Sequence, residues 1–155
     1  MMRARRLHKY RSLYVMGLAI LIVTNDYCQS ISIAGTAPVL IIDAGTPGGQ
    51  LTSVQNQNCI LTYSTPVQPN RDWRITVNTN NTSPLFTLKV VAISPTRGTA
   101  EASVTLNSST AINFITAIPR KTNNATCNLQ YTASATFARG IGTDNHIVTY
   151  TLVTP

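Results

Sequence analysis

A chain of 155 residues supplies one domain with a core of its own, and nothing in it suggests a second. Only 11% of its residues are charged, and Thr, Ser and Asn fill the polar positions. That mixture suits solvated strands and turns better than helices. The formal charge of +7 is lopsided, because Arg3, Arg5, Arg6, Lys9 and Arg11 carry five of the twelve basic charges. Beyond Ser30 seven basic residues face four acidic ones, a formal +3 that makes no case for a nucleic-acid surface.

The N-terminal cluster precedes the apolar run Leu13 to Val23, eleven residues long. A bilayer span needs about 20, so this pattern reads as a secretory signal peptide. The expected leader is 1–30, with cleavage between residues 30 and 34, leaving 31–155 as one domain and no stable membrane span. Ser30, Ser32 and Ala34 offer small residues for the cut, and Ser32-Ile33-Ala34 fits the small-x-small rule best. Asp26 and Tyr27 argue against lipidation at Cys28. Removing the leader leaves Cys59 and Cys127, an even pair that predicts one disulfide in an exported chain. Such a bridge would contribute roughly 4 kcal/mol through loop closure. Two cysteines with His146 do not complete a tetrahedral zinc site, so no metal or cofactor is expected.

The remaining chain reads as strands and turns. Ile31 to Ala37 is a flexible lead-in, and Val39 to Asp43 is an apolar first strand stopped by a Gly- and Pro-rich loop. Cys59, Leu61 and Tyr63 alternate with polar neighbours, as do Trp73, Ile75 and Val77, then Phe86 to Ala92, then Ala102 to Leu106. Asn78 to Pro84 is a turn, Ile112 to Ile118 a less regular strand, and Arg120 to Thr126 a polar loop. Cys127 to Phe137 alternates strictly over eleven residues. It closes as a hairpin with Ile147 to Val153 through a turn at Gly140 and Gly142. A strand turns such alternation into one apolar face, and a helix does not. About eight strands at even spacing predict an all-β, antiparallel, Ig-like sandwich of 7–9 strands. Trp73, fourteen residues after Cys59, matches the immunoglobulin layout, but Ala125 stands where a tyrosine corner needs Tyr.

Within Leu129 to Leu152 an L-x-Y-x-A strand is followed by a Gly-containing turn and a closing V-x-Y-x-L strand. This resembles the end of pilin-like and spore-coat-like exported bacterial sandwiches. Arg74-Ile75-Thr76 and the Thr87, Leu88 and Val90 pattern extend the likeness over about residues 58–155. The resemblance implies a secreted or cell-surface structural or adhesive protein, with protein partners or self-assembly at the surface. In the pilus kind, assembly would proceed by donation of an N-terminal segment, for which Ile31 to Ile42 is placed.

Chemistry is sparse. Asp43-Ala44-Gly45-Thr46 follows an apolar stretch as the D-[ST]-G-[ST] turn of aspartic proteases does, but Ala44 replaces the hydroxyl residue and a twin would have to come from a dimer. Asp144 and His146 are two apart and share a face of a strand, a surface pair without a nucleophile at motif spacing. Asn80, Asn81, Asn107 and Asn124 satisfy N-x-[ST] by composition alone. Tyr63, Tyr131 and Tyr150 fall on inward phases and suit core packing. The expectation is therefore a non-enzymatic surface sandwich, with a glycan- or protein-binding module as the alternative and a dimeric hydrolase using Asp43 behind it.

Overall fold

The structure, a computed structural model, describes residues 28–43, 51–67, 72–136 and 142–154. The basic leader, the Gly45 to Gly49 loop, the Asn70-Arg71 turn, Phe137 and Gly140-Ile141 lie outside the described residues. Nine strands form two antiparallel sheets, with no helix among the described residues. In chain order they are β1 (Ser30–Ala34), β2 (Val54–Ser64), β3 (Trp73–Thr79), β4 (Thr87–Ile93), β5 (Thr99–Ala100), β6 (Val104–Thr105), β7 (Ile112–Ile118), β8 (Ala125–Ser134) and β9 (Val148–Val153). One sheet runs β1-β2-β8-β4-β6 and the other β5-β7-β3-β9. The expected all-β sandwich is what forms.

The alternation read from the sequence sets the core. Cys127, Leu129, Tyr131 and Ala133 of β8 are buried, and so are Leu61 and Tyr63 of β2 and Ile75 and Val77 of β3. Phe114 of β7 lies against Tyr150 of β9, with ring centroids 5.2 Å apart and planes tilted by 59°. Tyr131 and Tyr150 join the two sheets through their hydroxyls, 2.9 Å apart. The Tyr63 hydroxyl donates to the Arg97 carbonyl. All three tyrosines are therefore core residues whose polar tips find partners, as buried phenols require.

Several expectations are corrected. The Cys59–Cys127 disulfide is not formed: both residues are buried thiols. Register is the reason, because β2 and β8 set Cys59 opposite Leu129 and Leu61 opposite Cys127. The cysteines are diagonal neighbours, about 7–8 Å apart, whereas a bridge needs Cα atoms roughly 4.4–6.8 Å apart. Antibody-type domains put their two cysteine strands in opposite sheets, and here those strands are side by side, so the Ig-type layout does not hold either. The expected hairpin of the last two strands also fails, since β8 and β9 belong to different sheets. The strand expected over Ala102 to Leu106 shrinks to β6, and Thr99 and Ala100 before it pair with β7 in the other sheet.

The N-terminal assignment is reversed. Ser30–Ala34, expected as a lead-in, pairs with β2 over five residues, from Ser30 opposite Ser64 to Ala34 opposite Ile60. Val39 to Asp43, expected as the first strand, has no strand assignment, and Val39 and Ile41 are 81% and 66% exposed. With β8 on one side of β2 and β1 on the other, no edge of β2 is left for it. Gly35 makes the exit from β1 possible. Its φ is +111°, and a Cβ there would sit 2.1 Å from the Asn58 carbonyl oxygen. At the bulge beside it, the Asn56 side chain accepts from the Asn58 N–H at 2.9 Å, where the β2–β8 register slips. The chain then runs close enough for the Thr36 carbonyl to accept from Cys59 Sγ at 3.3 Å.

Two outcomes test this frame. Gly35→Ala meets a backbone oxygen and an unfavourable φ together, and lowers stability by at least about 2 kcal/mol in denaturant titration. Burial pushes the Cys127 thiol up to about 11, so alkylation at pH 8 spares it in the folded protein. Unfolding without reductant exposes Cys59 and Cys127 to complete alkylation, and a cross-linked pair would contradict the register.

Candidate binding site at one end of the sandwich

The start of β4, the end of β8 and the approach to β2 meet at one end of the larger sheet, where Thr87 pairs with Ser134. Between them lies an open cleft of about 540 Å³. Leu51, Leu85 and Phe86 give it apolar surface, while Ser53, Thr87, Thr105, Asn107 and Thr136 supply hydroxyls and an amide. No ionisable side chain lines it among the described residues. Uncharged donors and acceptors around a small apolar patch fit a neutral, hydroxyl-bearing ligand better than an ion.

One wall of the cleft is a tied loop. The turn read at Asn78 to Pro84 is held to residues 144–147 by several hydrogen bonds. Asn80 N donates to the Ile147 carbonyl (3.2 Å) and Ile147 N donates back to Asn80 Oδ1 (2.7 Å). Asp144 Oδ2 accepts from Phe86 N at 2.7 Å, which fixes the residue at the cleft mouth. Ser83 N donates to Asn81 Oδ1, and Asn81 N to Thr79 Oγ1, each at 3.3 Å. Thr79 Oγ1 also lies 3.1 Å from His146 Nδ1. That contact ties the hydroxyl to the ring whichever of the two donates. Gly142 packs against the same loop, where a Cβ would come within 3.0 Å of Leu85 Cδ1.

The expected Asp144–His146 pair is thus present and coupled. Partial burial pushes the Asp144 carboxyl up. The N–H groups of Phe86 and Leu85, the nearby His146 and the Asn81 side chain outweigh it and leave the group below its ordinary value. Burial lowers His146 from its ordinary 6.5, and Asp144 offsets that only in part. Thr79 Oγ1 touches the His146 ring, while Asp144 acts on that ring through its charge. Thr79 is buried, and these contacts tie the loop.

Other sequence candidates are not drawn together. Asp43 is exposed at the end of the unpaired Val39 to Asp43 stretch, with the rest of its motif outside the described residues. No group of three His, Cys, Asp or Glu among the described residues is placed to hold a metal ion. No described helix is long and apolar enough to cross a membrane. Of the glycosylation-type asparagines, Asn80 and Asn81 are spent on the loop ties, and Asn124 has a left-handed backbone, with φ of 47°. The cleft escaped sequence reasoning because four separate segments contribute to it; the only local signal was the Asn-rich turn. No protein-family model, curated protein or solved structure matches the chain.

The pKa directions set an acid response for the wall. A histidine held low in the fold contributes fully above its unfolded value near 6.5, and that contribution is lost as the pH falls below it. The carboxyl, also held low, contributes above about pH 4 and loses this as the pH falls further. Thermal stability therefore declines on acidification from about pH 6.5. His146→Gln flattens the upper part of that decline and Asp144→Asn the lower part, measured by melting curves from pH 3 to 8.

Proposed function

We propose that this chain is an exported, non-enzymatic sandwich acting at a cell surface as a structural or adhesive component, and that it makes its contact through the cleft between β4 and β8. The observation that carries this reading is the cleft itself, an uncharged, hydroxyl-lined depression with a wall fixed before any ligand arrives. Preorganisation reduces the ordering cost of binding, which matters for shallow polar sites. A neutral glycan matches this lining: hydroxyls and an amide for its hydroxyl groups, and Leu85 with Phe86 for an apolar sugar face.

The pilin-like reading asks for a free N-terminal donor. The first third of the segment suited to that role, Ile31 to Ala34, is paired within its own chain, which favours a self-contained module. An aspartic-type hydrolase would need Asp43 at the tight end of a strand, and Val39 to Asp43 is not one.

Light scattering on the purified domain separates these readings, with a monomer expected across micromolar concentrations. On a glycan array that monomer retains neutral glycans, and Leu85→Ala combined with Asn107→Ala weakens retention at least about tenfold, or about 1.4 kcal/mol. Concentration-dependent, SDS-resistant ladders would favour strand exchange instead, and an array blank for neutral glycans would remove the cleft from consideration.

A further inference from the structure

We infer that a membrane signal peptidase cuts the chain between Ser30 and Ile31, so that the mature protein begins with its own edge strand. The inference rests on the export reading of the basic leader and its apolar run, and β1 supplies the position. Within residues 28–34 three small-x-small triplets are available: Cys28-Gln29-Ser30, Ser30-Ile31-Ser32 and Ser32-Ile33-Ala34. Just upstream, Asp26-Tyr27-Cys28 would put a carboxylate at the first small position.

The three cuts leave different proteins. Ile31 stands opposite Tyr63 and Ile33 opposite Leu61, both on the phase of those fully buried residues, but only Ile31 is partly covered and Ile33 stays 48% exposed. Ile31 packs against the core. A cut after Ala34 removes every residue of β1 and opens the backbone of β2 from Ile60 to Ser64. A cut after Ser32 removes Ile31 and leaves only Ile33 and Ala34 paired. A cut after Ser30 keeps Ile31 to Ala34 on Tyr63, Thr62, Leu61 and Ile60, with Gly35 still turning the chain beyond them. Its structural cost is small: the Ser30 pairing and the Gln29 side-chain hydrogen bond to the Leu152 carbonyl. Distance from the membrane points to the same bond. Ser30 is the nearest of the three to Val23, where the apolar run ends, and so reaches a membrane-bound active site first.

The step is a hydrolysis. Water adds across the Ser30–Ile31 amide, the carbonyl carbon leaves as the Ser30 carboxylate on the leader, and the nitrogen becomes the protonated α-amine of Ile31. The leader takes Cys28, an exposed thiol, away with it, so that Cys59 and Cys127 are the cysteines that stay.

The test is to express the full chain with a C-terminal tag in a secreting bacterial host, and to read the exported product by intact mass and N-terminal sequencing. One species beginning Ile31-Ser32-Ile33 is expected. Ser30 and Ser32 are both exposed, so bulky replacements there are tolerated by the fold. Ser30→Phe reduces the Ile31 product at least tenfold, while Ser32→Phe leaves it unchanged. A product beginning at Ile33, at Gly35 or ahead of Ser30 overturns the assignment and leaves the export reading standing. An unprocessed chain held in the cytoplasm overturns both.

Discussion

β8 runs through the larger sheet with β2 on one side and β4 on the other, so its backbone is paired along both edges while its alternate side chains fill the gap between sheets. A slip of one residue would turn Cys127, Leu129 and Tyr131 to solvent and bring Asn128 and Gln130 inside. That penalty fixes the register, and much else follows from it. It places the cysteines diagonally and thereby keeps them as thiols. It brings the Tyr131 hydroxyl to Tyr150 on the facing sheet. It also sets Ser134 against Thr87, at the end where the cleft opens. At the opposite end, Thr65 and Thr122 interlock: Thr65 N donates to the Thr122 carbonyl, Thr122 N to Thr65 Oγ1, and both hydroxyls to the Pro119 carbonyl. Buried polar groups there are satisfied by one another, which lets the chain turn without leaving unpaired groups in the core.

The sequence made strands legible wherever alternation was strong. β3, β4, β8 and β9 lie where the period-two pattern put them, within a few residues, and β7 spans the less regular run Ile112 to Ile118. Periodicity carries no information about partners, however. The last two strands follow each other in sequence, and a hairpin was the local solution, yet each finds a better apolar surface in a different sheet. Ser30–Ala34 was missed because three of its five residues are small and its outward positions are Ser. Val39 to Asp43 is the more apolar stretch, but hydrophobicity does not create an edge to pair with. Leu40 packs partly against the core while Val39 and Ile41 face outward.

The site divides in the same way. Asp144 and His146 could be paired from their spacing, since two apart on extended chain means one face. Their work could not be read, because the groups they hold, Phe86 N and Thr79 Oγ1, are some sixty residues earlier in the chain. The cleft lining was less legible still. Its hydroxyl residues are of the same types that cover the rest of the surface, and only the meeting of four segments makes them a site.

The way the sandwich treats its edges bears on whether it acts alone. An exposed strand edge invites another chain, and proteins blunt such edges by brevity or by covering them. β5 and β6, the edges on one side, are two residues each, too short to template a partner. On the other side β1 and β9 end the two sheets close to each other. Strand addition is thus resisted on one side by length and hindered on the other by proximity. What the molecule leaves open is its looped end, where Leu85 is exposed on a wall held in place by hydrogen bonds. A fold that blunts its edges and fixes its loops presents a surface for binding, and that argues for contact through the cleft over assembly through the sheets.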